Sequence, residues 1–378
     1  MLNLAEPHVM SLKPYVPGRA IENDQSITSW AKLASNENCL GPSPAAIEAA
    51  KKSLPKAHLY PDAKRLLMVH EICRHLKDYG VQKHHVALGN GTSDLIVNLV
   101  RGLLGHDEQL VYGWPSFIMY RQAALTHGRK SIAVPLDANF DYDLVSLAQH
   151  IADPRNKAKL VILANPNNPT GRYLGKSVLH DFIRLLPRDV VLVIDEAYFE
   201  YVTKEDYESC LSFAMSRKRT IVLRTFSKAY GLAGMRLGYA VGDENIIAIL
   251  CRIRDPFNVN AVVQDAAMAA LHDLAHIQRS VEHNLKFRPI LTQGLRQLGF
   301  LVHESVGNFV MAKRSNLMPN IKDLCNKLSE KGVLLRPLDT YDLDDYVRIS
   351  VGEQEEINQL FKALSTVLPS SLETCLLL

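Results

Sequence analysis

Residues 159–171 read Lys159-Leu160-Val161-Ile162-Leu163-Ala164-Asn165-Pro166-Asn167-Asn168-Pro169-Thr170-Gly171, an apolar run that passes straight into a Pro-stiffened polar turn. A run without polar alternation suits a strand buried on both faces of a parallel sheet. Val190 to Ile194 repeats the pattern and leads directly into Asp195, and Thr220 to Leu223 and Leu237 to Val241 read as two further strands. Upstream, His85 to Leu88 and Gln109 to Tyr112 are short strands, the first followed by Gly89-Asn90-Gly91-Thr92 and an apolar helix to Leu104. Ser43-Pro44 starts a helix with Pro at its first position. Pro115 to His127 is expected to be a helix that Gly128 stops. Strands separated by helical patterns at this rhythm predict an α/β fold, a mainly parallel central sheet flanked by helices.

After Pro256 the character changes to a long helical region reaching about Leu298, with Pro289 expected to interrupt it. Short strands follow near Phe300 to His303, Asn308 to Ala312, Val333 to Arg336 and Val347 to Val351, with helices at Ile321 to Lys331 and Glu353 to Leu368. This predicts a large α/β domain over 36–255 and a smaller α+β domain over 256–378, which an N-terminal arm (1–35) joins.

The chain has 378 residues, enough for two domains, and is 47% hydrophobic and 22% charged, which excludes fibrous and disordered classes. No apolar run approaches the ~18 residues of a membrane-spanning helix. Lys plus Arg is 43 against 40 for Asp plus Glu, a net +3 too balanced to predict a nucleic-acid or membrane partner. The six cysteines are scattered without metal-type spacing, so reduced thiols in a cytoplasmic protein are expected. Acid, His and Pro residues in the first 19 positions break any signal-peptide core. Cys375-Leu376-Leu377-Leu378 formally matches a prenylation box but lacks the upstream polybasic stretch that stable anchoring needs.

Several motifs are incomplete. Gly89-Asn90-Gly91-Thr92-Ser93-Asp94 follows a strand and opens a helix, yet lacks the third glycine of a dinucleotide fingerprint. Its helix start remains a good phosphate cradle. Gly171 to Ser177 is one residue short of a P-loop, and Asn165 to Thr170, with two prolines, separate it from its strand. His70-Glu71 with His75 misses the zinc-protease spacing, so no metal is expected.

One set of residues makes sense together. Lys228 lies just after the strand at Ile221, in Arg224-Thr225-Phe226-Ser227-Lys228-Ala229-Tyr230-Gly231-Leu232-Ala233-Gly234-Met235-Arg236, an amine beside an anion-binding loop. Asp195 sits where the carboxyl ends of parallel strands place ligands, and a buried carboxylate there needs a cation. Asn168 offers an amide from a rigid turn, and Gly91-Thr92 offers backbone N–H groups. Pyridoxal 5'-phosphate requires this combination: a lysine for covalent attachment and an acid to hold the pyridine nitrogen protonated.

The Asn-Pro-Thr-Gly turn, Asp195-x-x-Tyr198 and Ser227-Lys228 with Arg236 resemble, in this order and spacing, the fold-type I, aspartate-aminotransferase-like superfamily, and within it the histidinol-phosphate aminotransferase family, from about Lys13 to Val367. The resemblance implies a pyridoxal-phosphate-dependent homodimer exchanging an amino group between L-histidinol phosphate and 2-oxoglutarate, giving imidazole acetol phosphate and glutamate in histidine biosynthesis. Threonine-phosphate decarboxylation or aromatic amino-acid transamination is the alternative.

Carried over residue by residue, Lys228 is implied as the attachment lysine and proton shuttle, and Asp195 as the partner of the pyridine nitrogen. Asn168 and Tyr198 are implied to bond the ring oxygen. Thr225, Ser227, Arg236 and the amides of Thr92 and Ser93 are implied to hold the phosphate. Phe117 is implied to stack on the ring, where the family usually has Tyr. The helix start reads Thr92-Ser93-Asp94 where the family has small-Asp-Glu. Arg348 matches the arginine used for the substrate's anionic end, and Arg336 is a second candidate on a nearby strand, although surface salt bridges would also explain them. Tyr15, Asn36 and Glu37 match positions beside the substrate, and Tyr60 a cofactor-binding position across the dimer interface.

Overall fold

The structure is a computed structural model, and it describes residues 5–10, 12, 14, 21, 27, 29–62, 64 and 66–368. In chain order the strands are β1 (Ala31–Lys32), β2 (Val86–Gly89), β3 (Gln109–Trp114), β4 (Lys130–Pro135), β5 (Ala158–Ala164), β6 (Val191–Asp195), β7 (Thr220–Thr225) and β8 (Gly238–Gly242). They continue with β9 (Leu301–Val302), β10 (Phe309–Lys313), β11 (Val333–Leu334), β12 (Arg336–Leu338) and β13 (Leu343–Ser350).

The unbroken apolar runs become the centre of a seven-stranded sheet ordered β2-β8-β7-β6-β5-β3-β4. Side chains alternate between its faces, so each strand needs apolar residues at every position. Leu160 and Ile162 join the apolar cluster on one face, and Val161 and Leu163 the cluster on the other. β7, β6, β5, β3 and β4 run parallel. β8 is antiparallel to both β7 and β2, because the chain turns straight back from β7 through residues 226–237 without a crossover helix.

This turn-back places the Lys228 loop at the carboxyl ends of the strands. Ala164 on β5 pairs with Asp195 on β6, and Asp195 pairs with Leu223 on β7. The polar termini of three adjacent strands therefore share one edge.

A second sheet, ordered β12-β13-β10-β9, is antiparallel, while β1 pairs in parallel with β11. Its apolar cluster takes in Ala31 and Leu33 together with residues from 287 to 368. The cluster of the large sheet, however, includes Val259, Val263, Ala266, Ala267, Ala270 and Leu271. The composition change at Pro256 therefore does not coincide with the change of core. Among the described residues no helix is long and apolar enough to cross a membrane.

Three elements differ from the sequence expectation. The helix anticipated from Pro115 starts at Met119, because the Ser116 side chain bonds Asn167 and holds the preceding residues in a turn. Pro289 does not interrupt its helix, which runs Leu274–Gln297. The break falls at Asp273, whose carboxylate accepts the His276 N–H at 3.0 Å and starts the second helix. The edge strand β4 was not anticipated.

Gly231 has φ +70°, and a Cβ there would collide with the Gly41 carbonyl oxygen. Gly231→Ala is expected to destabilise the protein by about 2–4 kcal/mol, read by urea unfolding, because strain and a backbone clash add. A loss below about 1 kcal/mol would mean that the loop can move away.

Candidate active site

Where the ends of β5, β6 and β7 meet the second sheet there is a cavity of about 240 Å³. Its floor is the pair anticipated from sequence. Asp195 is buried at the end of β6, and its Oδ1 accepts the Ala197 N–H at 3.2 Å while its Oδ2 accepts the Tyr120 hydroxyl at 2.9 Å. Burial pushes its carboxyl up to about 6, against the pull of those donors and of Lys228.

Lys228 lies in the loop after β7, with Nζ 3.3 Å from the Ser35 carbonyl oxygen and 5.6 Å from the centre of the Tyr198 ring. Burial first, then the nearby Arg348 and Arg236 cations, push its ammonium down to about 7, against Glu37 and Asp195. An amine with that value is a competent proton carrier near neutral pH.

At one end of the cavity the helix Thr92–Leu103 begins after Gly91 without a side-chain cap. Its first N–H groups and the helix dipole favour an anion there. The Ser227 hydroxyl receives bonds from Thr225 Oγ1 at 3.0 Å and Arg236 Nη1 at 3.3 Å. Gly91 has φ +80°, and a Cβ on it would lie 2.5 Å from Arg236 Nη2, so glycine lets the guanidinium close over the helix start. Thr92, Ser93, Thr225, Ser227 and Arg236 all line the cavity.

At the other end lie two arginines. Arg336 on β12 and Arg348 on β13 are register partners, both are buried, and both line the cavity. Arg348 donates through Nη1 to Asn168 Oδ1 at 2.7 Å and through Nη2 to the Ala34 carbonyl at 2.8 Å, while its Nε has no partner. Those partners are neutral, so the buried Arg348 cation is held without a paired carboxylate among the described residues. That is the property of an anion site, not of a surface ion pair.

Asn168, with Oδ1 given to Arg348, has its amide nitrogen to offer as a donor. The Tyr198 hydroxyl accepts from Asn36 Nδ2 at 2.9 Å and keeps its own proton to donate. Glu37 lines the cavity and is bound by Lys32 Nζ at 2.6 Å.

Phe117 also lines the cavity. Tyr60 does not: it is 83% exposed and stacks on Phe257, with ring centres 4.6 Å apart. Tyr15 lies outside the described residues, as does the Cys375-Leu378 tail. Sequence reasoning passed over Tyr120 and Tyr341, which line the cavity as well. Tyr120 stands three residues after Phe117, but Phe117 precedes the helix Met119–Thr126, so no shared helix face marks the pair.

The P-loop-like segment is closed to phosphate. Its helix starts at Lys176, and the Asp206 carboxylate lies where a side chain on Gly175 would project, 2.7 Å from its Cβ position. Among the described residues no cluster could hold a metal ion.

Residues 28–364 match the family described as aminotransferase class I and II. A histidinol-phosphate aminotransferase of an Anaeromyxobacter species is 42% identical over 368 residues, covering 97% of this chain and 99% of that protein. The enzyme of the same name from Moorella thermoacetica is 37% identical, covering 95% and 92%. The crystal structure of histidinol-phosphate aminotransferase from Sinorhizobium meliloti in complex with pyridoxal-5'-phosphate superposes with a TM-score of 0.84, at 26% identity and covering 97% and 98%. A Thermus thermophilus aspartate aminotransferase shares the fold, with a TM-score of 0.81 at 22% identity.

The chain belongs to the class I and II aminotransferases, enzymes of the pyridoxal-phosphate-dependent fold type I. The curated relatives it most resembles among those named above are histidinol-phosphate aminotransferases.

The residues present fit the cofactor of this family. A buried carboxylate with two of its acceptor sites filled has others for a pyridine N–H. An uncapped helix start with two hydroxyls and Arg236 matches a phosphate, and an amine of lowered basicity stands between them.

Lys228 in cofactor-free protein is expected to react with an amine-selective acylating reagent with a midpoint near pH 7, while surface lysines react only far above it. Mass mapping across pH measures this. Arg348→Met removes a neighbouring cation and should move the midpoint up. A midpoint near that of surface lysines would contradict the electrostatics described here.

Proposed function

We propose that the chain catalyses amino transfer from L-histidinol phosphate to 2-oxoglutarate, giving imidazole acetol phosphate and L-glutamate. The observation that carries this reading is the pair of buried arginines, with Arg348 held without a paired carboxylate among the described residues, opposite the amine and the carboxylate. Whole-length similarity to histidinol-phosphate aminotransferases supports the choice of substrate.

Pyridoxal phosphate, when bound, supplies an electron sink for the charge left at the substrate's Cα and carries the amino group between the two substrates. Thr92, Ser93, Thr225, Ser227 and Arg236, which line the cavity, would hold its phosphate, Asn168 and Tyr198 would donate to its ring oxygen, and Phe117 would cover its face. Asp195 keeps the ring nitrogen protonated. Lys228 would be the attachment point; once the substrate's amine takes its place, the freed Nζ would remove the proton from Cα and deliver it to the cofactor's carbon, as general base and then acid. Arg336 and Arg348 grip the anionic end of each substrate in turn, a phosphate or a carboxylate, through the planar fork that binds both. Glu37, steadied by Lys32, would face the imidazole with Asn36.

The protein acts as a homodimer in the cytoplasm. Leu54, Leu59, Leu66, Leu67 and Tyr60 are all exposed within 14 residues of chain, with Phe257 beside Tyr60. That apolar band suits a second copy, and in the dimer Tyr60 serves the neighbouring cofactor site. Cys39, Cys73, Cys210 and Cys251 form no disulfide among the described residues, as a reducing compartment maintains. The large domain at 36–255 would carry the cofactor, and the smaller domain at 256–378, which the arm joins, carries both Arg336 and Arg348.

A panel of amino donors with 2-oxoglutarate tests the assignment. Histidinol phosphate should give the highest kcat/KM, with parallel initial-rate lines because the two substrates alternate. Arg348→Met should lower kcat/KM by about 100-fold or more, the loss expected when a charge-assisted bond to substrate is removed. A preference for aromatic amino acids, or carbon dioxide release from threonine phosphate, would replace this assignment. Intersecting lines would reject the alternating scheme.

A further inference from the structure

The mechanism above leaves unused Tyr120, a buried polar side chain that lines the cavity. Tyr120 is fully buried in the helix Met119–Thr126 and donates its hydroxyl proton to Asp195 Oδ2 at 2.9 Å. Its ring meets Phe117 edge-on, with centres 5.8 Å apart and planes at 89°. Tyr112 packs on its ring at 6.2 Å and 66°, so the ring is locked by aromatic neighbours on two sides.

We infer that Tyr120 is a positioning residue that keeps Asp195 ionised and oriented while its ring sets Phe117, so that one side chain fixes both the edge and the face against which the cofactor ring rests. This rests on the reading of the cavity as a pyridoxal-phosphate site.

The choice of a phenol follows from the task. Asp195 must stay negative in a dry cavity to hold a protonated ring nitrogen, and burial opposes that charge. A cationic donor would stabilise the carboxylate but would also neutralise it and compete with the ring nitrogen. A neutral hydroxyl supports the charge without cancelling it. Tyr120 remains a donor throughout the working range, since burial first and then the adjacent Asp195 push its own ionisation far up.

The groups facing Asp195 from the surrounding elements are few. Tyr120 comes from the helix Met119–Thr126, Lys228 from the loop after β7, Glu196 follows directly after the end of β6, and Tyr142 and Tyr198 stand nearby. Lys228 and the hydrogen bonds of Tyr120 and the Ala197 N–H lower the carboxyl's value, whereas burial and Glu196 raise it to about 6. Removing the phenol donor therefore raises it further. The carboxyl then becomes protonated at a higher pH, and a protonated carboxyl no longer accepts a pyridinium proton.

The test is equilibrium titration of cofactor-free protein with pyridoxal phosphate from pH 5 to pH 9, followed by absorbance, for the wild type, Tyr120→Phe and Phe117→Leu. Each titration is repeated in a Lys228→Ala background, so that the acid limb no longer carries the titration of the Lys228 amine near pH 7. Tyr120→Phe keeps the ring and should shift the acid limb of cofactor affinity upward by about one pH unit, a roughly tenfold loss on that limb, with affinities converging at alkaline pH. Phe117→Leu removes ring stacking and should weaken binding by a similar factor at every pH.

A Tyr120→Phe profile parallel to the wild type, whether weaker throughout or unchanged, would overturn the inference, because a packing role alone moves no pH limb. If thermal unfolding shows that Tyr120→Phe does not fold, 3-fluorotyrosine at position 120 supplies a stronger donor of nearly the same shape. It should move the limb down, and an unmoved limb would again overturn the inference. Absence of saturable cofactor binding in the wild type would reject the reading of the site itself, an outcome distinct from binding with an unmoved limb.

Discussion

The arrangement depends on keeping a carboxylate charged inside protein. An unpaired buried charge costs several kcal/mol or shifts its pKa until it neutralises. Asp195 avoids this with two hydrogen-bond donors and an amine across the cavity. Each comes from a different part of the chain: Tyr120 from the helix after β3, Ala197 from the turn after β6, Lys228 from the loop after β7. The parallel order β7-β6-β5-β3 is what brings those three connections to one edge of the sheet. The antiparallel return of β8 then draws the Lys228 loop across that edge and delivers Arg236 to the start of the helix Thr92–Leu103.

The second sheet serves the same end from above. Asn36 is tied to β13 by its N–H to Ser350 Oγ at 2.8 Å and reaches Tyr198 with its side chain. Arg348 reaches down to Asn168 in the turn after β5. These bonds tie the second sheet to the turn after β5 and to Tyr198 across the cavity. Such fixed geometry is what preorganised catalysis requires.

Much of this was legible in the sequence because the signals were anomalies. Asp195 and Lys228 are charges at the ends of apolar runs, and the Pro-flanked Asn168 turn is rigid by composition. The central strands were readable because burial on both faces removes polar alternation. What was not legible has physical causes. The edge strand β4 mixes exposed and half-buried positions, so it carries no such run. Tyr120 sits on an ordinary amphipathic helix, and its contact with Asp195 spans 75 residues of chain. The core beneath the large sheet draws in the helix Ala261–His272 from beyond Pro256, a packing choice that composition does not encode. The net charge of +3 likewise gave no hint that Lys228, Arg236, Arg336 and Arg348 line one cavity, because the anions concerned are small molecules.

The central claim is that the amine of Lys228 holds pyridoxal phosphate covalently in this cavity. Borohydride reduction of the cofactor-loaded protein, followed by digestion and peptide mass mapping, tests it most directly. The account predicts one reduced pyridoxyl group, on the peptide that contains Lys228, and its loss in Lys228→Ala. A label spread over surface lysines, or undiminished in Lys228→Ala, would contradict it.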